Sequence, residues 1–198
     1  MSHYYITDNS LTSKEKNIKY TYMGHEINIC SDSGVFSKEK IDYRTNVLLN
    51  SLPILKQNST ILDVGCGYGI IGICLASAYP ASKVDLIDVN ERAIEITKKN
   101  IKNNSLKNAE CFTSNLFENI ENNYDYIISN PPIRAGKEVV HKIVTDSFYH
   151  LNNGGELYIV IQKKQGAPSM MEKMNNTFGN VEKIGHDGGY FILVSRKK

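Results

Sequence analysis

The sequence predicts an α/β protein built on a mostly parallel sheet with helices on both faces. Three observations lead there. Short apolar runs alternate regularly with longer amphipathic segments from residue 60 onward. That alternation is the pattern of strand–helix–strand units. The runs at Thr60–Val64 and Tyr124–Ser129 are nearly continuous in apolar residues, as befits strands buried on both sides. Finally, the last two strand-like runs, Val181–Gly185 and Tyr190–Ser195, are separated by Asp187-Gly188-Gly189, a connection too short for a parallel crossover. They should therefore be antiparallel and lie at one edge.

The elements follow in order. Ile18–Tyr22 and Glu26–Cys30 flank Met23-Gly24-His25 and read as a small β-hairpin. Ile41, Val47, Leu48 and Leu52 share a helical phase, and Pro53 follows, so a helix should end there. Thr60–Val64 is a strand and the segment to about Tyr79 a helix. Val84–Asp88 is a strand, and Glu91–Asn104 a helix with apolar Ala93, Ile94, Ile96 and Ile101 opposite a lysine-rich face. Ala109–Thr113 and Tyr124–Ser129 are strands, and Glu138–Leu151 is a helix. Asn152-Asn153-Gly154-Gly155 reads as a turn, before a strand at Glu156–Gln162 and a helix at Ser169–Phe178. The expected main sheet thus has seven strands. The chain divides into an N-terminal segment, 1–40, containing the hairpin, and a domain over 41–198.

Composition narrows the class without naming a substrate. Of 198 residues, 41% are apolar and 22% charged, enough to bury a sizeable core. A net charge of +2 and a pI of about 8.2 permit a nucleic-acid partner without demanding one. Cys30, Cys66, Cys74 and Cys111 form no Cys-x-x-Cys pair and have no histidine at ligand spacing, so no metal site is expected. Met1–Ser10 is polar, and no apolar run approaches membrane-spanning length. A reduced, cytoplasmic protein is the expectation.

Two stretches carry chemistry. "ILDVGCGYGIIG" follows the first strand of the regular region and opens a helix. Gly65, Gly67 and Gly69 allow a sharp turn and close approach to a ligand, and Asp88 ends the next strand, where an acid can accept from ribose hydroxyls. Gly67-x-Gly69-x-x-Gly72 formally fits a dinucleotide loop, with Asp88 at the expected spacing of roughly 20 residues. Yet the strand closes at Gly65, and Ile70 takes the third glycine's place counted from there. Asp63 adds a negative charge before the loop, which repels a pyrophosphate and favours a cation. Asp63-x-Gly65-x-Gly67-x-Gly69 resembles the first motif of S-adenosylmethionine methyltransferases. Glycines serving only tight strand–helix packing are the plainer alternative.

The second stretch, "YDYIISNPPIRAGK", ends a core strand in Asn130-Pro131-Pro132-Ile133. A turn is the plain reading. Beside a methyl-donor loop there is a sharper one. An exocyclic base amine is a poor nucleophile because its lone pair is delocalised. The Asn130 oxygen and the Pro131 carbonyl can each accept one of its hydrogens and aim that lone pair at a methyl group. The two prolines fix φ and hold the carbonyl in place.

Asn130-Pro-Pro-Ile133 resembles the Asn-Pro-Pro-aromatic motif of amino-group methyltransferases. With "NPPIRAGK", "GVFS" at Gly34–Ser37 and "ID" followed by Thr45, the chain is similar to the methyltransferase domain of the small-subunit (16S) ribosomal RNA guanine-N2 methyltransferases. The resemblance runs from about Ile27 to the C-terminus. It implies a Rossmann-like class I fold and S-adenosyl-L-methionine as cofactor, with ribosomal RNA or the small subunit as partner; the oligomeric state is not implied. Asp63, Gly65, Cys66, Gly67 and Gly69 would line the methionine end, Asp88 with Val89 the ribose, and Asn115 with Leu116 the adenine. Asn130–Ile133 would hold the target base, with Asn130 also bordering the cofactor, and Phe36 and Thr45 would close over it. Arg134, Lys137 and Lys142 could meet RNA phosphates, or simply form a solvated face.

The chain departs from the family at three positions. Asn115 stands where many members have Asp, Ile133 where an aromatic is usual, and Arg44 where glycine is common. RNA contacts attributed to the extra N-terminal half of larger members are not carried over. Two alternatives remain: methylation of a glutamine side-chain amide, whose family usually ends the motif in Tyr, and a non-catalytic cofactor-binding RNA module.

Overall fold

A computed structural model describes residues 16–31, 41–132 and 136–198. The hairpin comprises β1 (Lys16–Tyr22) and β2 (His25–Ser31), paired antiparallel around Met23-Gly24. Then come α1 (Tyr43–Ser51), β3 (Thr60–Val64), α2 (Ile70–Ala78), β4 (Lys83–Asp88), α3 (Glu91–Asn103), β5 (Ala109–Thr113), β6 (Tyr124–Ser129), α4 (Lys137–His150), β7 (Leu151–Gln162), α5 (Ala167–Phe178), β8 (Glu182–Asp187) and β9 (Tyr190–Arg196).

The second sheet has seven strands in the order β5-β4-β3-β6-β7-β9-β8. From β5 to β7 all neighbours are parallel. The last strand inserts antiparallel between β7 and β8. Strand order reverses between β3 and β6, the place where an open α/β sheet leaves a crevice at its carboxyl ends.

Alternation along the central strands divides the core between two faces. Ile61, Leu86, Tyr126, Ile128, Tyr158, Val160 and Ile192 pack with residues of α1, α2 and α3. Leu62, Val64, Ile87, Ile127, Leu157, Ile159 and Leu193 pack with α4 and α5. The hairpin joins the first face through buried Ile27 and Ile29.

One expected element differs. Asn152–Gly155 is not a free turn but the lead-in of β7, with an irregular register against β6 between Tyr124 and Tyr126. Its backbone groups find partners there: Gly154 N–H donates to the Lys197 carbonyl at 2.7 Å, and Lys197 N–H donates back to Gly155 at 2.9 Å. Paired groups can stay extended where unpaired ones would turn out to solvent.

The hairpin is fixed to α3 by two asparagines one turn apart. The Asn100 side chain accepts from Cys30 N–H at 2.7 Å and donates to the carbonyls of Cys30 (2.8 Å) and Tyr68 (2.9 Å). Asn104 bridges both backbone groups of Asn28 in the same way. Each carboxamide thus serves an edge strand as another strand would. Asn100 is fully buried, so Asn100→Ala should strand three buried backbone groups. We expect a loss on the order of 3 kcal/mol in urea unfolding, with faster amide exchange along β2.

Candidate active site at the carboxyl edge of the sheet

The loop after β3 is a chain of left-handed glycines: Gly65, Gly67 and Gly69 have φ of 73°, 57° and 87°. They do different work. A Cβ on Gly69 would lie 2.7 Å from the Thr97 methyl, and one on Gly72 would lie 2.3 Å from Leu86 Cδ2. Those two glycines let α2 approach α3 and β4. A Cβ on Gly65 meets nothing within 4 Å, so Gly65 borders open space.

The loop is braced from the neighbouring strand. Gly65 and Cys66 both donate to the Ile87 carbonyl at 2.9 Å, and Thr97 Oγ1 donates to the Gly67 carbonyl at 2.9 Å. Asp88 accepts from Gly67 N–H on Oδ2 and from Asn90 N–H on Oδ1, both at 2.9 Å. Val89 follows with its side chain exposed. Cys66 is buried, and burial pushes its thiol well above the ordinary range, so it is an apolar wall rather than a nucleophile.

Asp63 is fully buried on β3. Its Oδ2 accepts from Gly72 N–H at 2.9 Å, while Oδ1 has no partner among the described residues. Burial raises its carboxyl to about 7, partly offset by the Gly72 hydrogen bond and reinforced by the charge of Asp88. Asp88 is raised as well, chiefly by burial. Two buried carboxylates at an open edge, one of them raised further by the charge of the other, favour a cation beside them.

After β5, Asn115 is exposed and donates to Glu118 Oε1 at 2.7 Å. Leu116 adopts φ 53°, uncommon for a leucine. The Ser114 hydroxyl holds it there by donating to the Leu116 carbonyl at 2.7 Å.

Asn130 follows β6, across the crevice from Gly65; Ser129 and Val64 are register partners. Its Nδ2 donates to Asp42 Oδ2 and to Thr45 Oγ1, each at 3.0 Å. Its Oδ1 is shielded from solvent and has no partner among the described residues. The structure therefore brings Asp63, Gly65, Asp88, Thr45, Asn130 and Pro131 to one edge. Lys137 and Lys142 lie farther along α4, in an open groove shared with His141 and Lys173, where Lys142 pairs with Asp146 at 2.6 Å. Phe36 with the rest of Gly34–Ser37, Ile133 and Arg134 lie outside the described residues. The sequence reading took Asp42 only as part of the "ID" stretch and gave it no role of its own. An Asp directly before a helix is so common a cap that it gave no separate signal.

The electrostatics of Asp63 are testable without any ligand. Its folded-state value lies above the ordinary 3.8. Its contribution to stability is thus full below that value and is lost as pH rises toward about 7. Asp63→Asn keeps an acceptor for Gly72 and removes the loss. The variant's stability relative to the parent should rise between about pH 4 and pH 8, by roughly 4 kcal/mol at most, in urea titrations. A difference that does not vary with pH would show that Asp63 does not titrate in this range.

A family model described as methyltransferase small domain matches residues 26–194. The uncharacterized Bacillus subtilis protein YbxB is 42% identical over 197 residues, 98% of each chain. Ribosomal RNA small subunit methyltransferase C of Haemophilus influenzae is 32% identical over 177 residues, 86% of this chain and 53% of that protein. The Thermus thermophilus 16S rRNA N2 methyltransferase solved with AdoMet and guanosine shares the fold. Its TM-score is 0.83 at 24% identity, over 95% of this chain and 52% of that one. The chain spans about half the length of these ribosomal RNA methyltransferases. With a match over most of its residues, the chain belongs to the methyltransferase small domain family.

Proposed function

We propose that the protein transfers a methyl group from S-adenosylmethionine to an exocyclic amine, with guanine N2 of small-subunit ribosomal RNA as the target. The observation that carries this reading is the state of Asn130. Both of its amide hydrogens are engaged, and its oxygen is left as an acceptor unpaired among the described residues. An amine nucleophile needs acceptors for its hydrogens, not donors. Ribosomal RNA as the substrate is supported by the relatives named for it, and the guanine amine by the resemblance carried by Asn130-Pro131-Pro132-Ile133.

The site fits the cofactor. Gly65 leaves room at the turn, and the Asp63 oxygen, unpaired among the described residues, together with the charge of Asp88 acting on Asp63, suits a ligand that is cationic and carries no phosphate. When bound, that cofactor supplies an electrophilic methyl on a sulfonium. Gly65, Cys66 and Gly67 would line its amino-acid end with Asp63 behind them. Asp88 keeps free lone pairs for ribose hydroxyls, because its two backbone bonds take one on each oxygen. Val89 and Leu116 offer apolar surface to the adenine, and Asn115 an amide.

Asn130 Oδ1 and the Pro131 carbonyl would accept the two amine hydrogens. That pairing localises the lone pair on nitrogen and points it along the transfer line. As the N–C bond forms, positive charge grows on the amine, and two fixed carbonyl dipoles stabilise it better than reorienting water would. The proton is then released to solvent, so no strong base is needed. Thr45, and Phe36 from the preceding segment, would close the site. Lys137 and Lys142 would meet phosphates beside a base turned out of its stack.

The test uses radiolabelled S-adenosylmethionine with small subunits, naked ribosomal RNA, transfer RNA and release factors, followed by nucleoside and amino-acid analysis. Label in N2-methylguanosine is expected; label in glutamine would replace this target with a protein one. Asn130→Ala should lower transfer by roughly a thousandfold or more while S-adenosylhomocysteine binding, by calorimetry, stays unchanged. Full activity in that variant would defeat the mechanism.

A further inference from the structure

The carboxylate at the start of α1 does not do the local work its position suggests. Asp42 is the N-cap of α1, where a short acidic side chain ordinarily accepts from the second or third helical N–H. Its side chain makes no such bond. Instead Oδ2 accepts from Asn130 Nδ2 at 3.0 Å and from Arg44 Nε at 2.9 Å. Thr45, buried on the next turn, accepts from the same Nδ2 at 3.0 Å.

This arrangement fixes which way the amide points. An ionised carboxylate is acceptor-only, so the Asn130 atom facing it must be nitrogen. Both amide hydrogens are then used, and Oδ1 is turned the other way. It stays shielded from solvent and unpaired among the described residues, a state that folding by itself disfavours.

We infer that Asp42 and Thr45 are positioning residues that lock the Asn130 amide with its oxygen presented to the substrate amine; the inference rests on the amine-transfer reading. A flipped amide would aim two N–H donors at a group whose own hydrogens need acceptors, and transfer would stop. Asp42 also acts through charge. A carboxylate behind Nδ2 polarises the amide and strengthens Oδ1 as an acceptor. Arg44 anchors that carboxylate from the side.

The experiment takes the full chain and compares Asp42→Ala, Asp42→Asn and Thr45→Val by two readouts. In turnover, Asp42→Ala should lower kcat by roughly tenfold to a hundredfold, with the Kd for S-adenosylhomocysteine unchanged. Asp42→Asn should recover most of that loss, because its carboxamide oxygen can still accept from Nδ2. Thr45→Val should cost several-fold in kcat. Parental kcat in Asp42→Ala, or a loss that Asp42→Asn does not restore, would overturn the inference. The second readout needs no turnover. The Asn130 side-chain NH2 is assigned in nitrogen-15 NMR by its absence in Asn130→Asp. It should exchange slowly with solvent in the parent and rapidly in Asp42→Ala. Rapid exchange in the parent would also overturn the inference. A protected NH2 in a parent that methylates no amine would uphold the orientation and bring down the proposed reaction instead.

Discussion

The in-register parallel pairing of β3 with β4 on one side and β6 on the other is the constraint on which the rest of the site depends. Val64 stands level with Ile87 and with Ser129, so the three strands end on one line. The next residues along each strand are Gly65, Asp88 and Asn130. Strand order reverses here, so the helices that follow β3 and β6 leave toward opposite faces, and the space between their first turns stays open. Slipping β6 by one residue would put Asn130 on the α4–α5 face, away from Asp42 and Thr45. The apolar alternation of Tyr126, Ile127 and Ile128 between the two cores prevents that slip. The same residues that bury the sheet therefore set which face the Asn130 amide meets.

The strong local patterns were legible in the sequence. β3 and β6 have the bounds their apolar runs suggest, because a strand buried on both faces has no other way to satisfy so much apolar surface. What local pattern could not carry is the pairing of polar side chains with distant backbone. Asn100 bonds Cys30, 70 residues away; the sequence hint was there, since Asn100 falls in phase with Ala93, Ile96 and Thr97 on the buried stripe of α3. A polar group in that phase must find a partner. The glycines are a second case. Gly65, Gly69 and Gly72 look alike in sequence, but only their neighbours show that Gly69 and Gly72 are closed by Thr97 and Leu86 while Gly65 is open. Asp42 is a third: its residue type fits a cap so well that only the structure reveals its 3.0 Å bond to Asn130.

Electrostatic strain is concentrated at the same edge. Asp63 and Asp88 are both held in a protein environment that resists their charge, and the charge of Asp88 worsens the position of Asp63. Among the described residues neither has a cationic partner in its hydrogen bonds, and backbone N–H groups stabilise them. A fold that kept such a pair only for stability would do better with apolar residues of similar size. The arrangement makes sense if a bound cation relieves it, so that energy withheld in the free protein is returned on ligand binding. It also accounts for the backbone bonds being spread over Gly67, Gly72 and Asn90. They hold the carboxylates in place without neutralising them.

The site is closed from a direction remote in sequence. Asp42 and Thr45 reach Asn130 from 88 and 85 residues away, and α1 itself lies against β7, β8 and β9 rather than against the strands that bear the site. Its first residue is clamped there. The Tyr43 hydroxyl donates to Asp187 Oδ2 at 2.6 Å, and its ring fills the space that a Cβ on Gly188 would need. Tyr190 lies beside that ring, with centroids 6.0 Å apart. Gly188, at φ 52°, can therefore be replaced only by displacing Tyr43, and Tyr43 sits between the two side chains that hold the Asn130 amide. The antiparallel end of the sheet thus has a use that its distance from the glycine loop hides. It anchors the helix whose first turn orients the acceptor. The ordering of that acceptor is completed when the chain folds, so it need not be achieved again each time a substrate amine arrives.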